Sequence, residues 1–121
     1  MRQKALENLR AAETLAAVPL PNAAATRAYY AAYHACWHTA EHQGYEVPEH
    51  DGKRYWRHDV FPSDMWRWGL LDEDGKEVLE QLYEKRVVAD YYEDEITHEE
   101  AAALTRQARG LIHSLGGSGE C

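Results

Sequence analysis

Residues 22–43, NAAATRAYYAAYHACWHTAEHQ, constrain the fold of this chain more than any other stretch. The run reads as one long helix that Gly44 ends. With about 100° per residue and Arg27 at the origin, His34 falls near 340° and His38 near 20°, so these three share a stripe. Ala28, Ala31, Ala32 and Ala35 fill the next sector, where a partner helix can approach closely. Tyr29, Tyr30, Tyr33 and Trp37 occupy the sector from about 200° to about 300°. No face of the opening turns is plainly solvent-like, which marks a helix that is central in its bundle or covered by a second subunit. Arg27 and His34 must then be paired or face a cleft, because an unpaired buried charge is costly.

The rest of the chain is arranged around that helix. Residues 2–17 form a first helix with Leu6, Leu9, Ala12 and Ala16 at helical spacing. The sequence VPLP at 18–21 stops it, and Asn22 is a suitable N-cap for the central helix. A polar, irregular connection follows over 45–52. The run KRYWRHDVF at 53–61 reads as a short helix anchored by Tyr55, Trp56, Val60 and Phe61. Pro62 closes it, and Ser63 can cap a further turn that holds Met65, Trp66 and Trp68. A connection as long and aromatic as 44–75 is often functional or part of an interface.

The helical pattern returns over 76–95, with Leu79, Leu82, Tyr83 and Val87 inward and Arg86 and Asp90 one turn apart in the same stripe. Thr97 and Glu100 match a capping box for a last helix carrying Ala101, Leu104, Ala108, Leu111 and Leu115. Gly116 and Gly117 are expected to end it. No internal repeat and no β-strand pattern is visible. The pattern predicts an all-α domain over 1–116, an antiparallel up-and-down four-helix bundle with an extra short helical segment, and a disordered tail over 117–121.

At 121 residues the chain has the size of one domain. Its formal charge of −8 argues against gripping nucleic acid by bulk electrostatics, but leaves room for a local basic cleft. Four Trp and eight Tyr against one Phe call for hydrogen-bond partners or an interface. No signal peptide and no bilayer-spanning apolar run is visible, so a soluble, cytoplasmic protein without membrane contact is expected. Cys36 lies mid-helix and Cys121 is the last residue, so no structural disulfide is expected.

Two blocks carry a resemblance. Residues 26–35, TRAYYAAYHA, resemble the second-helix signature of the HEPN superfamily (higher eukaryotes and prokaryotes nucleotide-binding). Residues 86–91, RVVADY, resemble the later Arg-x-x-Ala-Asp-Tyr block of the branch often paired with a minimal nucleotidyltransferase. His58, before Val60 and Phe61, stands where that branch often has a histidine. The resemblance implies a helical bundle that homodimerises and binds nucleotides or RNA, or cleaves RNA without metal. It also implies a toxin-like role beside a nucleotidyltransferase antitoxin. Nuclease members place a His four to six residues after the Arg; here Asp90 and Tyr91 stand in that region.

The residues themselves allow more than one chemistry. Arg86 and Asp90 are either a buried ion pair that fixes packing or part of a polar dimer seam, with Arg86 holding phosphate and Asp90 orienting it. Tyr91 reaches such a seam only from its flank. Metal-free RNA cleavage needs a base, an acid and a cation; His34 or His38 can supply the first two and Arg27 or Arg86 the last. Alternatively, Arg27 pairs with a carboxylate such as Asp90, while Tyr30 and His34 satisfy one another or the backbone. The candidate catalytic residues are Arg86, Asp90 and His34; the candidate ligand-binding residues are Arg27, Tyr30, Tyr91, His38 and His58. His34, His38 and His42, with Glu41 nearby, have a weak metal-ligand spacing, and neither metal nor cofactor is expected. The run KRYWRH at 53–58 interleaves basic and aromatic residues, as in a single-strand binding surface or a patch for an acidic partner. The competing functional class is a non-catalytic interaction module that binds a partner protein.

Overall fold

The computed structural model describes residues 2–16, 20–91 and 96–119, which are mostly helical. The elements are α1 (Arg2–Ala16), α2 (Pro21–His42), β1 (Glu49–His50), β2 (Lys53–Arg54), α3 (Phe61–Arg67), α4 (Glu73–Tyr91) and α5 (His98–Gly119). The central position expected for the second helix is observed: α2 packs on α1, α4 and α5. Ala24, Ala25, Ala28, Ala31, Ala32, Ala35 and Ala40 are all buried along it. Small side chains on that side let neighbouring helices approach closely. α5 supplies Ala101, Leu104, Ala108, Leu111 and Leu115 to the same core. α4 contributes only Leu79 and Leu82 as fully buried residues, while Tyr83 and Val87 of its expected inward stripe are half-buried.

α2 begins one residue earlier than expected, and Asn22 does not cap it. Leu20 occupies the cap position and Pro21 the first turn, where a missing N–H costs nothing. The Asn22 side chain instead accepts a hydrogen bond from the Ile96 backbone N–H at 3.0 Å, clasping the start of α2 to the entry of α5. The capping box at that entry is formed in both directions. Thr97 Oγ1 accepts from the Glu100 N–H and Glu100 Oε1 accepts from the Thr97 N–H, each at 3.1 Å. α5 continues through Gly116 and Gly117 to Gly119, so those glycines do not end it. The end of the expected tail, 120–121, lies outside the described residues, as do 92–95 at the end of the expected third long helix.

The expected helix over 53–61 is absent, and a strand pair stands where none was anticipated. β1 and β2 pair antiparallel, Glu49 opposite Arg54 and His50 opposite Lys53. Asp51 and Gly52 between them have φ of 51° and 80°, the left-handed pair of a two-residue hairpin turn. Residues 55–60 then run without helix into α3. Trp56 anchors this run: it is 2% exposed and stacks on Phe61 at 4.8 Å between ring centroids. Pro62 opens α3 rather than closing a preceding helix, and Val60, not Ser63, holds the cap position.

Candidate functional site

One face of α2 is left incompletely covered. Ala23 and Arg27 are exposed, and Thr26, Tyr30, His34, Trp37 and His38 are half-buried at helical spacing. A polar cluster lies where this face meets α4. The Arg86 guanidinium donates from Nη2 to the Tyr30 hydroxyl at 2.8 Å. Its Nε lies 3.0 Å from Asp90 Oδ2, although the N–H is not aligned for a hydrogen bond. Thr26 Oγ1 donates to the other carboxylate oxygen of Asp90 at 2.7 Å. Tyrosine rings lie on the guanidinium as well: its carbon is 5.3 Å from the Tyr30 ring centroid and 5.5 Å from that of Tyr91. Each such contact holds a cation by the ring's quadrupole. Tyr91 itself is 70% exposed, so it reaches Arg86 from the solvent flank.

The i, i+4 relation of Arg86 and Asp90 is therefore realised as an ion pair on α4. Arg27 lies outside this cluster. It donates to Asn8 Oδ1 on α1 at 3.2 Å, so the alternative in which it pairs with Asp90 is not realised. Tyr30 spends its hydroxyl on Arg86, and its contact with His34 is ring stacking at 5.9 Å. His34 Nδ1 is buried without a hydrogen-bond partner among the described residues. Burial, reinforced by the nearby Lys4 and His58, lowers the His34 pKa to about 4, so its imidazole is neutral at neutral pH. His38 stacks on His42 at 6.0 Å, further along α2.

His58 is brought in by the run between the hairpin and α3. Its ring lies parallel to Tyr83 of α4 at 5.5 Å and 4.6 Å from Tyr33 of α2. Tyr30 meets it edge-on at 6.2 Å. His58 Nδ1 is hydrogen-bonded to the Tyr29 hydroxyl. Burial lowers the His58 pKa, and the Arg86 charge lowers it further against a smaller opposing effect of Asp59. Burial also drives the Tyr29 pKa far up, with the neighbouring tyrosines adding to it, so this phenol keeps its proton. The Tyr33 hydroxyl donates to the Trp56 carbonyl at 2.6 Å, which ties α2 to the run that carries His58.

Thr26, Tyr29 and Tyr83 are parts of this site that the sequence reading passed over. Their signal was weak: Thr26 stands one turn before Tyr30, and Tyr83 one turn before Arg86. The other candidate surface is less basic than its composition implied. Arg57 is paired with Asp59 at 2.9 Å, Arg54 stands opposite Glu49, and Trp56 is buried. Among the described residues, no three His, Cys, Asp or Glu side chains converge as a metal-binding group. No helix among them is long and apolar enough to cross a membrane. No protein-family model matches the chain, and no curated protein matches its sequence.

Chemically, the cluster offers a fixed guanidinium, an acceptor in Asp90, stacking surfaces and two neutral imidazoles. A guanidinium has five N–H donors in a plane, and the Tyr30 bond and the Asp90 contact engage one edge of that fork. The remaining donors suit an oxyanion such as a phosphate.

Proposed function

We propose that this chain is a HEPN-type antiparallel four-helix bundle that homodimerises and uses the Arg86 cluster as a seam for RNA or nucleotide phosphate. In this reading it is the toxin-like member of a toxin–antitoxin or defence pair, beside a nucleotidyltransferase antitoxin. The observation that carries it is the Arg86 guanidinium, held by Tyr30 and Asp90 and bordered by the rings of Tyr30 and Tyr91. Arg86 binds the phosphate, Asp90 orients Arg86, and the tyrosine rings stack with bases, as in single-strand recognition. His34, neutral because it is buried, is the candidate base for a 2′-hydroxyl in a metal-free cleavage. The half-covered face of α2 is where the second copy sits.

One observation favours the interaction module instead. Thr26, Asp90, Arg86 and Tyr30 also form a closed polar chain that needs no ligand to tie α2 to α4. The Arg86→Ala variant separates the two. In the seam reading it loses labelled single-stranded RNA, in binding or in cleavage with EDTA present, while sedimentation still finds a dimer and the melting temperature falls little. In the module reading it loses about 1–3 kcal/mol of stability and wild type ignores RNA and nucleotides. A wild type that is monomeric and inert toward RNA and nucleotides would end the seam proposal.

A further inference from the structure

His58 and Tyr29 form a unit whose chemistry reaches beyond packing. A phenol that keeps its proton can donate to a bare imidazole nitrogen or accept from a protonated one. The Tyr29 hydroxyl is buried and has no other acceptor among the described residues, so donation to His58 Nδ1 is what satisfies its O–H, and that direction places the His58 proton on Nε2. The two nitrogens lie on different edges of the ring, so the Nε2–H is directed away from the buried tyrosine. Tyr29 is 1% exposed, whereas His58 is half-buried. His58 also belongs to the Arg86 surroundings by geometry. Its ring stacks on Tyr83, one turn before Arg86 on α4, and meets Tyr30, whose hydroxyl Arg86 holds.

We infer that Tyr29 is a positioning residue that sets His58 as a neutral Nε2–H donor beside Arg86, so that the seam holds a phosphate with a cationic fork and a neutral imidazole together. This rests on the seam reading of Arg86. His58 is then a donor to the ligand rather than a base, and no charged histidine is needed for binding. The surroundings of the two imidazoles differ: His34 Nδ1 is buried without a hydrogen-bond partner among the described residues, whereas His58 Nδ1 is bonded to the Tyr29 hydroxyl.

The test combines nitrogen-15 NMR of the histidines with binding of an end-labelled single-stranded RNA. Wild type is expected to show His58 protonated at Nε2 and not at Nδ1. Tyr29→Phe keeps the ring in the core but removes the hydroxyl; it should shift His58 to mixed tautomers and weaken RNA about three- to tenfold, the scale of one hydrogen bond. His58→Gln, whose amide can stand near the Nε2 position, should bind within about twofold of wild type, and His58→Phe should lose as much as Tyr29→Phe. A merely structural Tyr29 would leave the tautomer unchanged. Three results overturn the inference while sparing the seam: an Nδ1–H tautomer in wild type, an unchanged tautomer in Tyr29→Phe, or full RNA binding by His58→Phe. A wild type that retains neither RNA nor nucleotides defeats the seam itself, and with it the donor role of His58, whatever the tautomer.

Discussion

Burial acts strongly on the charge of His34. In the folded protein its pKa is lowered from 6.5 to about 4. Between those values the unfolded chain binds more protons than the native one, so unfolding is favoured as the pH falls. The contribution of His34 to stability is thus fully present above about 6.5 and is lost as the pH drops through about 4. Thermal melting across this window should show a decline that is shallower in His34→Gln, which cannot titrate there. Parallel curves for the two proteins would mean that His34 is solvated. At this scale the sequence was partly legible. The Arg86–Asp90 pair follows from helix spacing alone, because both residues belong to one element. Thr26, Tyr29 and Tyr83 act across elements, and one-dimensional spacing does not encode which ring of α2 faces which ring of α4.

Among the elements, α2 is governed by its alanines. Ala28 is fully buried between helices, whereas Ala23 is exposed on the uncovered face of the same helix. Ala28→Leu should destabilise by about 1–3 kcal/mol through overpacking, and Ala23→Leu should be close to neutral. Urea denaturation of the two variants checks this; equal midpoints would mean that the alanine face has room to spare. The helical elements were largely readable because their signals are local. The capping box at Thr97 needs only four residues to form, and the apolar spacing of α5 matches its buried face. The hairpin was missed because strands of two residues are too short to show alternation. Its one legible mark was the Asp51-Gly52 pair, a common hairpin turn. The Tyr-Trp spacing at 55–56 fits a helix as well as the extended run that buries Trp56 and leaves Tyr55 37% exposed.

For the whole molecule, α2, like α5, packs on each of the other three long helices. Its packing on α1 joins neighbours in sequence, while its packing on α4 and α5 must gather distant parts of the chain. Surface ion pairs add to this gathering: Arg109 with Glu13 joins α5 to α1 at 2.8 Å, and Lys85 with Glu100 joins α4 to α5 at 3.2 Å. The clasp between Asn22 and Ile96 spans 74 positions of sequence. Closing so long a loop costs entropy before any of its contacts can compensate, so interactions between neighbours in sequence are favoured early in folding. The clasp should then be absent at the folding barrier and act as a late latch. Asn22→Ala is expected to lower stability by about 1 kcal/mol, almost all of it as an unfolding rate about fivefold faster. Stopped-flow chevrons would show the unfolding arm raised and the refolding arm superimposed on wild type. A slowed refolding arm would instead place the joining of α2 and α5 at the barrier. If the latch closes last, one amide side chain at the start of α2 sets about a fivefold share of the protein's lifetime against unfolding.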